Sequence, residues 1–289
     1  MIATWFLLIP VVGVFVVSAL VILCFGSRKQ GLSKELWQYF LSTALIVGVF
    51  LLPALLHPAL FVFAIFILGW RCINEMALVF GLQFSKLGQF GVVLCVMCGI
   101  WLGVTQQSTI LFAILMLALP VYLVGFQRRP TGALALATAL AFPLLGVAGL
   151  AALVMRHEGA YWVFLLYATV EMNDSMAFLF GRIFGRRPVL PRLSPHKTME
   201  GALAGVVLSG LLAWSLADWL FDLPADQAAV LAALLVSAGV LGDMFTSRLK
   251  RVAGVKDFPA VSVLHGGLVD IYDSTLFAAI PLAIWVFYK

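Results

Sequence analysis

The stretch HGGLVDIYDS, residues 265–274, carries the densest chemistry of the chain and stands at the mouth of a last apolar run that ends at Tyr288. Asp270 and Asp273 lie three residues apart, so a helix beginning near Asp270 puts both on one face. Two bare carboxylates so placed repel. A divalent cation removes that penalty, and hard oxygen ligands suit Mg²⁺. Asp243, in LGDMFTS at the end of the preceding apolar run, can approach the same point from a neighbouring helix. The competing reading is structural: these acids pair with Arg248, Lys250, Arg251 or Lys256 as ordinary ion pairs at a membrane surface.

The basic run SRLKRVAGVKD, residues 247–257, separates the acids. Such a run can be no more than a face contacting anionic headgroups. Here it is punctuated by Ser247, Gly254 and Asp257 and leads into His265, Gly266 and Gly267. A glycine pair lets backbone N–H groups approach a phosphate closely. Basic side chains, glycines and carboxylates within 243–273 are the components of a site for a metal-bridged polyphosphate. A second polar stretch runs from Asn173 and Asp174 through LSPHKTMEG, 193–201. It resembles a helix start with Ser194 or Thr198 as cap and Glu200 in the first turn. Arg182, His196 and Lys197 converge beside that helix N-terminus, where anions bind readily. The four histidines are dispersed and suggest no serine–histidine–acid triad, which disfavours a hydrolase or acyltransferase. Phosphoryl or nucleotidyl transfer, in which catalysis is mostly positioning and charge neutralisation, fits the inventory.

The elements that must hold these groups are membrane spans. The chain has 289 residues, 63% hydrophobic and 11% charged, against about a quarter charged in a soluble domain. Apolar segments at 2–25, 36–56, 59–80, 88–104, 109–125, 132–154, 160–180, 201–221, 228–246 and 274–288 reach or approach bilayer-crossing length. The expected fold is an all-α, polytopic transmembrane bundle of nine to ten spans with the N-terminus outside. It forms a single domain over 1–289, with spans of unassigned role in 1–130. The catalytic half is 160–289, with cytoplasmic loops 181–200 and 247–273. In that orientation the loops after spans one, three, five, seven and nine hold fifteen of the 18 Lys and Arg residues, a strong positive-inside pattern. The net charge of +5 therefore reports topology, and nucleic acid is not an expected partner. Cys95 and Cys98 form a C-x-x-C inside VVLCVMCGI with no second ligand pair nearby, and with Cys24 and Cys72 are expected as packing residues. Arg71 and Glu75, four apart in span three, are expected to pair as a structural unit.

Residues 247–273 closely resemble the signature of the phosphatidate cytidylyltransferase (CDP-diacylglycerol synthase) family. Ser247, Leu249, Lys250, Arg251, Lys256, Asp257, His265, Gly266, Gly267, Leu268, Asp270 and Asp273 fall in its pattern without a gap. The upstream Asn173-Asp174-Ser175 and Ser194, Pro195, Lys197, Thr198, Glu200 and Gly201 also resemble family elements. The resemblance covers about the last 120 residues. Ile271 stands where the family usually has arginine, and Met199 where it has tryptophan.

The resemblance implies transfer of CMP from CTP to phosphatidic acid or a related lipid phosphate. The products are CDP-diacylglycerol and pyrophosphate. It implies Mg²⁺, with a monovalent ion such as K⁺ beside it, held by Asp243 and Asp270. It implies Lys250, Arg251, Lys256, Asp257, His265 and Asp273 as the catalytic set. Asn173, Asp174, Ser194, Lys197, Glu200, Ser247, Gly266 and Gly267 would bind nucleotide or hold the loops. The expected setting is a bacterial inner membrane with the site facing the cytoplasm, in a homodimer. Ile271 leaves open a member with another lipid phosphate or reduced catalysis. A transporter using Arg71, Glu75 and the Asp cluster is the alternative of another class. It predicts charges across the membrane depth, whereas this chain piles them at one face.

Overall fold

The structure, a computed structural model, describes residues 4–7, 32–81, 133–190, 194–259 and 266–288, with isolated positions between 9 and 20. After a short 3₁₀ turn at Thr4–Leu7, seven α-helices follow in chain order among the described residues. They are α1 (Leu32–Leu56), α2 (Pro58–Val79), α3 (Ala133–Val154), α4 (Gly159–Phe184), α5 (Met199–Phe221), α6 (Ala225–Val252) and α7 (Leu268–Tyr288). Between α4 and α5 lies a two-stranded antiparallel ribbon, β1 (Pro188–Leu190) and β2 (Ser194–Thr198). Five helices, α2 and α4 to α7, are long and apolar enough to cross a bilayer. The protein is a polytopic helical membrane protein. The expected segments 88–104 and 109–125, most of 2–25, and Cys24, Cys95 and Cys98 lie outside the described residues.

Two boundaries differ from expectation, each for a physical reason. Helix α6 continues past 246 to Val252, carrying Lys250 and Arg251 in its last turn, where cations complement the helix dipole. It stops at Gly254, whose φ of +76° is left-handed. The Val255 amide returns to the Lys250 carbonyl and the Gly254 amide to the Arg251 carbonyl, a Schellman termination. Helix α7 starts at Leu268, ahead of the expected 274, because its first amides find carboxylate partners. The expected loop 181–200 is also largely regular. Helix α4 runs on to Phe184, and the ribbon pairs Pro188 with Thr198 and Leu190 with Ser194. Thr198, not Ser194, caps α5, its side chain accepting from the Gly201 amide at 3.3 Å.

The contacts group into two compact units, Met1–Leu60 with Ala160–Val236, and Phe61–Gly159 with Ser237–Lys289. Close helix contact in each relies on small residues. Lipid supplies no hydrophobic drive between helices, so packing depends on backbones approaching. In the first unit, Gly201 and Gly205 of α5 lie against Asn173, Ala177 and Gly181 of α4. Tyr167 stacks on Phe50 and Trp162 on Phe221, with ring centroids 4.4 Å and 3.6 Å apart.

In the second unit, Gly146 and Gly149 of α3 face the α7 backbone at Leu276 and Ala279, and Gly242 of α6 faces Ser274 and Phe277. A Cβ at 146 would stand 2.6 Å from the Leu276 Cβ and 2.7 Å from its carbonyl oxygen. Gly146→Leu is therefore expected to cost at least about 1–3 kcal/mol, the range for overpacking. Gly210→Leu, where nothing lies within 4 Å, is expected to be neutral. Thermal unfolding of both variants in detergent checks the contrast.

Candidate active site

The C-terminal end of α6 and the N-terminal end of α7 meet as antiparallel neighbours through two rungs of polar contacts. In the first, Lys250 Nζ lies 2.6 Å from Asp270 Oδ1, with the two side chains only 14% and 13% exposed. The other carboxylate oxygen, Oδ2, accepts from the Gly267 amide at 3.1 Å and the Phe258 amide at 2.9 Å. The Lys250 ammonium also stands 6.0 Å from the centre of the buried Phe258 ring. One turn along, the Thr246 hydroxyl donates to Asp273 Oδ2, and Asp273 Oδ1 accepts from the Ser274 amide at 2.6 Å. Thr246 and Lys250 are four apart on α6, and Asp270 and Asp273 three apart on α7, so helical periodicity alone aligns both rungs. Asp243 lies one further turn back along α6 and is partly buried.

A third helix end joins this group. Glu75, near the C-terminal end of α2, is only 1% exposed. Its Oε1 accepts from the Leu268 amide and its Oε2 from the Val269 amide, both at 3.0 Å. Arg71 Nε lies 3.8 Å from Glu75 Oε1, so the expected Arg71–Glu75 pair forms, but the larger part of the glutamate's bonding goes to α7. Sequence reading missed that role. The available signal was an acid inside an apolar span, which is costly there unless it has partners.

The glycine pair now has a local explanation. A Cβ on Gly266 would run into the Asp270 carboxylate, and one on Gly267 would run into that of Glu75 and stand 2.7 Å from the Phe258 Cβ. Both glycines leave room for acids to reach the start of α7.

The remaining candidates are placed as follows. Ser247 is partly buried, while Arg251, Lys256 and Asp257 are exposed, and Arg251 Nη1 donates to the Val255 carbonyl at 3.2 Å. His265 lies outside the described residues. The upstream candidates belong to the other unit. Asn173 donates to Asp174 Oδ1 at 3.1 Å. Ser194 opens strand β2, and Lys197 on the same strand is exposed. Glu200 Oε2 accepts from the Arg186 and Arg187 amides at 3.0 and 3.3 Å, tying the ribbon to the start of α5.

The model of the cytidylyltransferase family matches residues 37–289, nearly the whole chain. The chain belongs to that family. It is 39% identical over 121 residues to the Uncharacterized protein YnbB of Escherichia coli, a match spanning 42% of this chain and 41% of that one. It is 33% identical over 127 residues to the Phosphatidate cytidylyltransferase of Aquifex aeolicus, spanning 43% and 47% of the two chains. Those two matches thus span less than half of each relative. A third, to the Phosphatidate cytidylyltransferase of Staphylococcus saprophyticus, runs over 250 residues at 27% identity, 83% of this chain and 95% of that one.

For a cytidylyltransferase, the fit of Mg²⁺ to these residues is decided by donor type and number. Asp243, Asp270 and Asp273 offer hard carboxylate oxygens on adjoining faces of α6 and α7. Among the described residues no group of three or more acid, histidine or cysteine side chains closes on a point. Mg²⁺ does not demand such a cage, since it is usually held by one or two carboxylates plus water and substrate phosphates. By donor type these carboxylates suit Mg²⁺, but both oxygens of Asp270 are already engaged, Oδ1 by Lys250 and Oδ2 by the Phe258 and Gly267 amides, so an ion held there would share Oδ1 with Lys250.

Proposed function

We propose that the protein is a CTP:phosphatidate cytidylyltransferase, transferring CMP from CTP to phosphatidic acid or a related lipid phosphate. The observation that carries this reading is the family match over 37–289. The Lys250–Asp270 ion pair, which the structural reading of these acids also expected, lies inside it, at the meeting ends of two membrane-length helices. A lipid phosphate presents its charge at the hydrocarbon edge, where a fixed ammonium and fixed carboxylates can meet it without the tails leaving the bilayer.

In the proposed reaction a phosphate oxygen of the lipid attacks the α-phosphorus of CTP, and the bond to pyrophosphate breaks. Lys250 is held between Asp270 and the Phe258 ring, so its charge is already in position and needs no reorganisation as the phosphates gain charge. Arg251 and Lys256, exposed beyond the end of α6, neutralise the triphosphate. Asp273, locked by Thr246 and the Ser274 amide, fixes the second turn of α7. Asp243 and Asp270 would hold Mg²⁺, with a monovalent ion as the resemblance implies, and the metal would supply further charge neutralisation on phosphate. The fifteen basic residues of the odd-numbered loops support a cytoplasm-facing site in an inner membrane, and family resemblance supports a homodimer.

Purified protein with Mg²⁺, labelled CTP and phosphatidic acid is expected to yield a labelled CDP-lipid. A panel of other lipid phosphates tests whether Ile271, at the arginine position of the family pattern, has shifted the acceptor. Absence of product with every acceptor, beside an active control enzyme, rejects the reading.

A further inference from the structure

We propose that Glu75 is a positioning residue for the site: it caps α7 from a distant helix and thereby sets where Asp270 stands. The inference rests on the proposed cytidylyl transfer and concerns a residue outside the motif that suggested it.

The N-terminus of α7 has amides that the helix itself cannot satisfy. The first helical bond runs from the Ile271 amide to the Gly267 carbonyl, which makes Gly267 the cap residue. Glycine has no side chain to cap with, and the space for one is filled by the Glu75 carboxylate and Phe258. Asp270, at the third helical position, reaches back to the Gly267 amide at 3.1 Å, the returning half of a capping box. The next two amides, of Leu268 and Val269, go to the two oxygens of Glu75, at 3.0 Å each. The two acids thus divide the amides of one helix end between them.

This division has a consequence for Asp270. Its Oδ2 faces two amides, which leaves Oδ1 on Lys250. Without Glu75, the Leu268 and Val269 amides lose the partner they have in a largely buried place, and among the described residues the other carboxylate bonded to amides of that helix end is Asp270. Glu75 therefore keeps Asp270 turned toward α6. The Arg71 guanidinium, with Nε 3.8 Å from Glu75 Oε1, places a counter-charge one turn back on α2. A packing role alone would not need both carboxylate oxygens on successive amides of the same helix that bears Asp270.

The test uses the full-length protein with Glu75→Gln, Glu75→Asp and Glu75→Ala. Hydrogen exchange is read over 266–272, and cytidylyl transfer is read as a function of Mg²⁺ concentration. Glu75→Ala is expected to speed exchange at Leu268 and Val269, with kcat falling and half-saturating Mg²⁺ rising by about 10–100-fold, the range for groups that orient a metal-holding side chain. Glu75→Gln keeps the shape and one acceptor oxygen, so it is expected to show the same changes in smaller degree even if the alanine variant does not fold. Glu75→Asp is expected to recover most of the protection.

Unchanged exchange at 268–269 in the glutamine and alanine variants overturns the proposal. So does faster exchange in an enzyme whose Mg²⁺ dependence is unaltered, since that outcome describes a cap without influence on Asp270. If the wild-type protein transfers CMP to no lipid phosphate, the proposed function falls separately. The exchange data then still decide the inference: loosening that spreads from 268–269 to the Asp270 amide upholds it, and loosening confined to 268–269 overturns it.

Discussion

Asp270→Asn is expected to lower cytidylyl transfer by at least about 10²–10³-fold, the loss seen when one group serving the developing charge of a transition state is removed. The substitution keeps size and an acceptor oxygen for the Phe258 and Gly267 amides but removes the charge facing Lys250. Because both side chains are less than one-sixth exposed, the unpaired ammonium also destabilises the fold, by up to about 3–5 kcal/mol. Loss of activity by itself would not separate the two effects. Adding Lys250→Met removes the orphaned charge, so the double variant is expected to recover thermal stability in detergent while remaining inactive. Recovery of transfer in the double variant would mean that Asp270 serves only to neutralise Lys250.

The second large effect is expected at Gly267. In Gly267→Ala the new methyl group meets the Glu75 carboxylate and Phe258, both buried. Neither is the loose end of a surface side chain, so the start of α7 must move. Glu75 then loses its bonds to the Leu268 and Val269 amides. A polar group buried without partners costs about 1–3 kcal/mol, and a charged one more. The folded fraction should drop sharply, as read by thermal unfolding and by yield of monodisperse protein. Glu75→Asp shortens the opposing side chain by one methylene and is expected to rescue Gly267→Ala in part. Failure of that suppressor, with a normal parent variant, would show that the crowding at Gly267 comes from Phe258 alone.

Much of this arrangement could be read from residue order. Apolar length located the helices, helical spacing placed Asp270 and Asp273 on one face, and the run from Ser194 to Glu200 marked the start of α5 while leaving the cap open between Ser194 and Thr198. Gly254 was visible as punctuation, and its left-handed geometry explains why α6 ends after the basic turn rather than before it. Other features had no local signature. Four basic residues were equivalent candidates to pair with the acids. Lys250 is selected because it recurs one helical turn after Thr246, in register with Asp270 and Asp273 on an antiparallel neighbour. The bonds of Glu75 to Leu268 and Val269 join positions 193 and 194 apart, and no periodicity reports a contact of that kind. The ribbon at 188–198 is too short to show the alternation of a strand.

The distance along the chain between Glu75 and its amide partners matters during biogenesis. Helix α2 is synthesised and inserted long before α7 exists, so the nascent chain carries a carboxylate near the bilayer edge with Arg71 as its nearby counter-charge. Lys250 likewise waits for Asp270. Both debts to the solvent are settled only when the last helix enters. A chain cut short before residue 266 therefore keeps Glu75 beside Arg71 but without the α7 amides, and leaves Lys250 without Asp270.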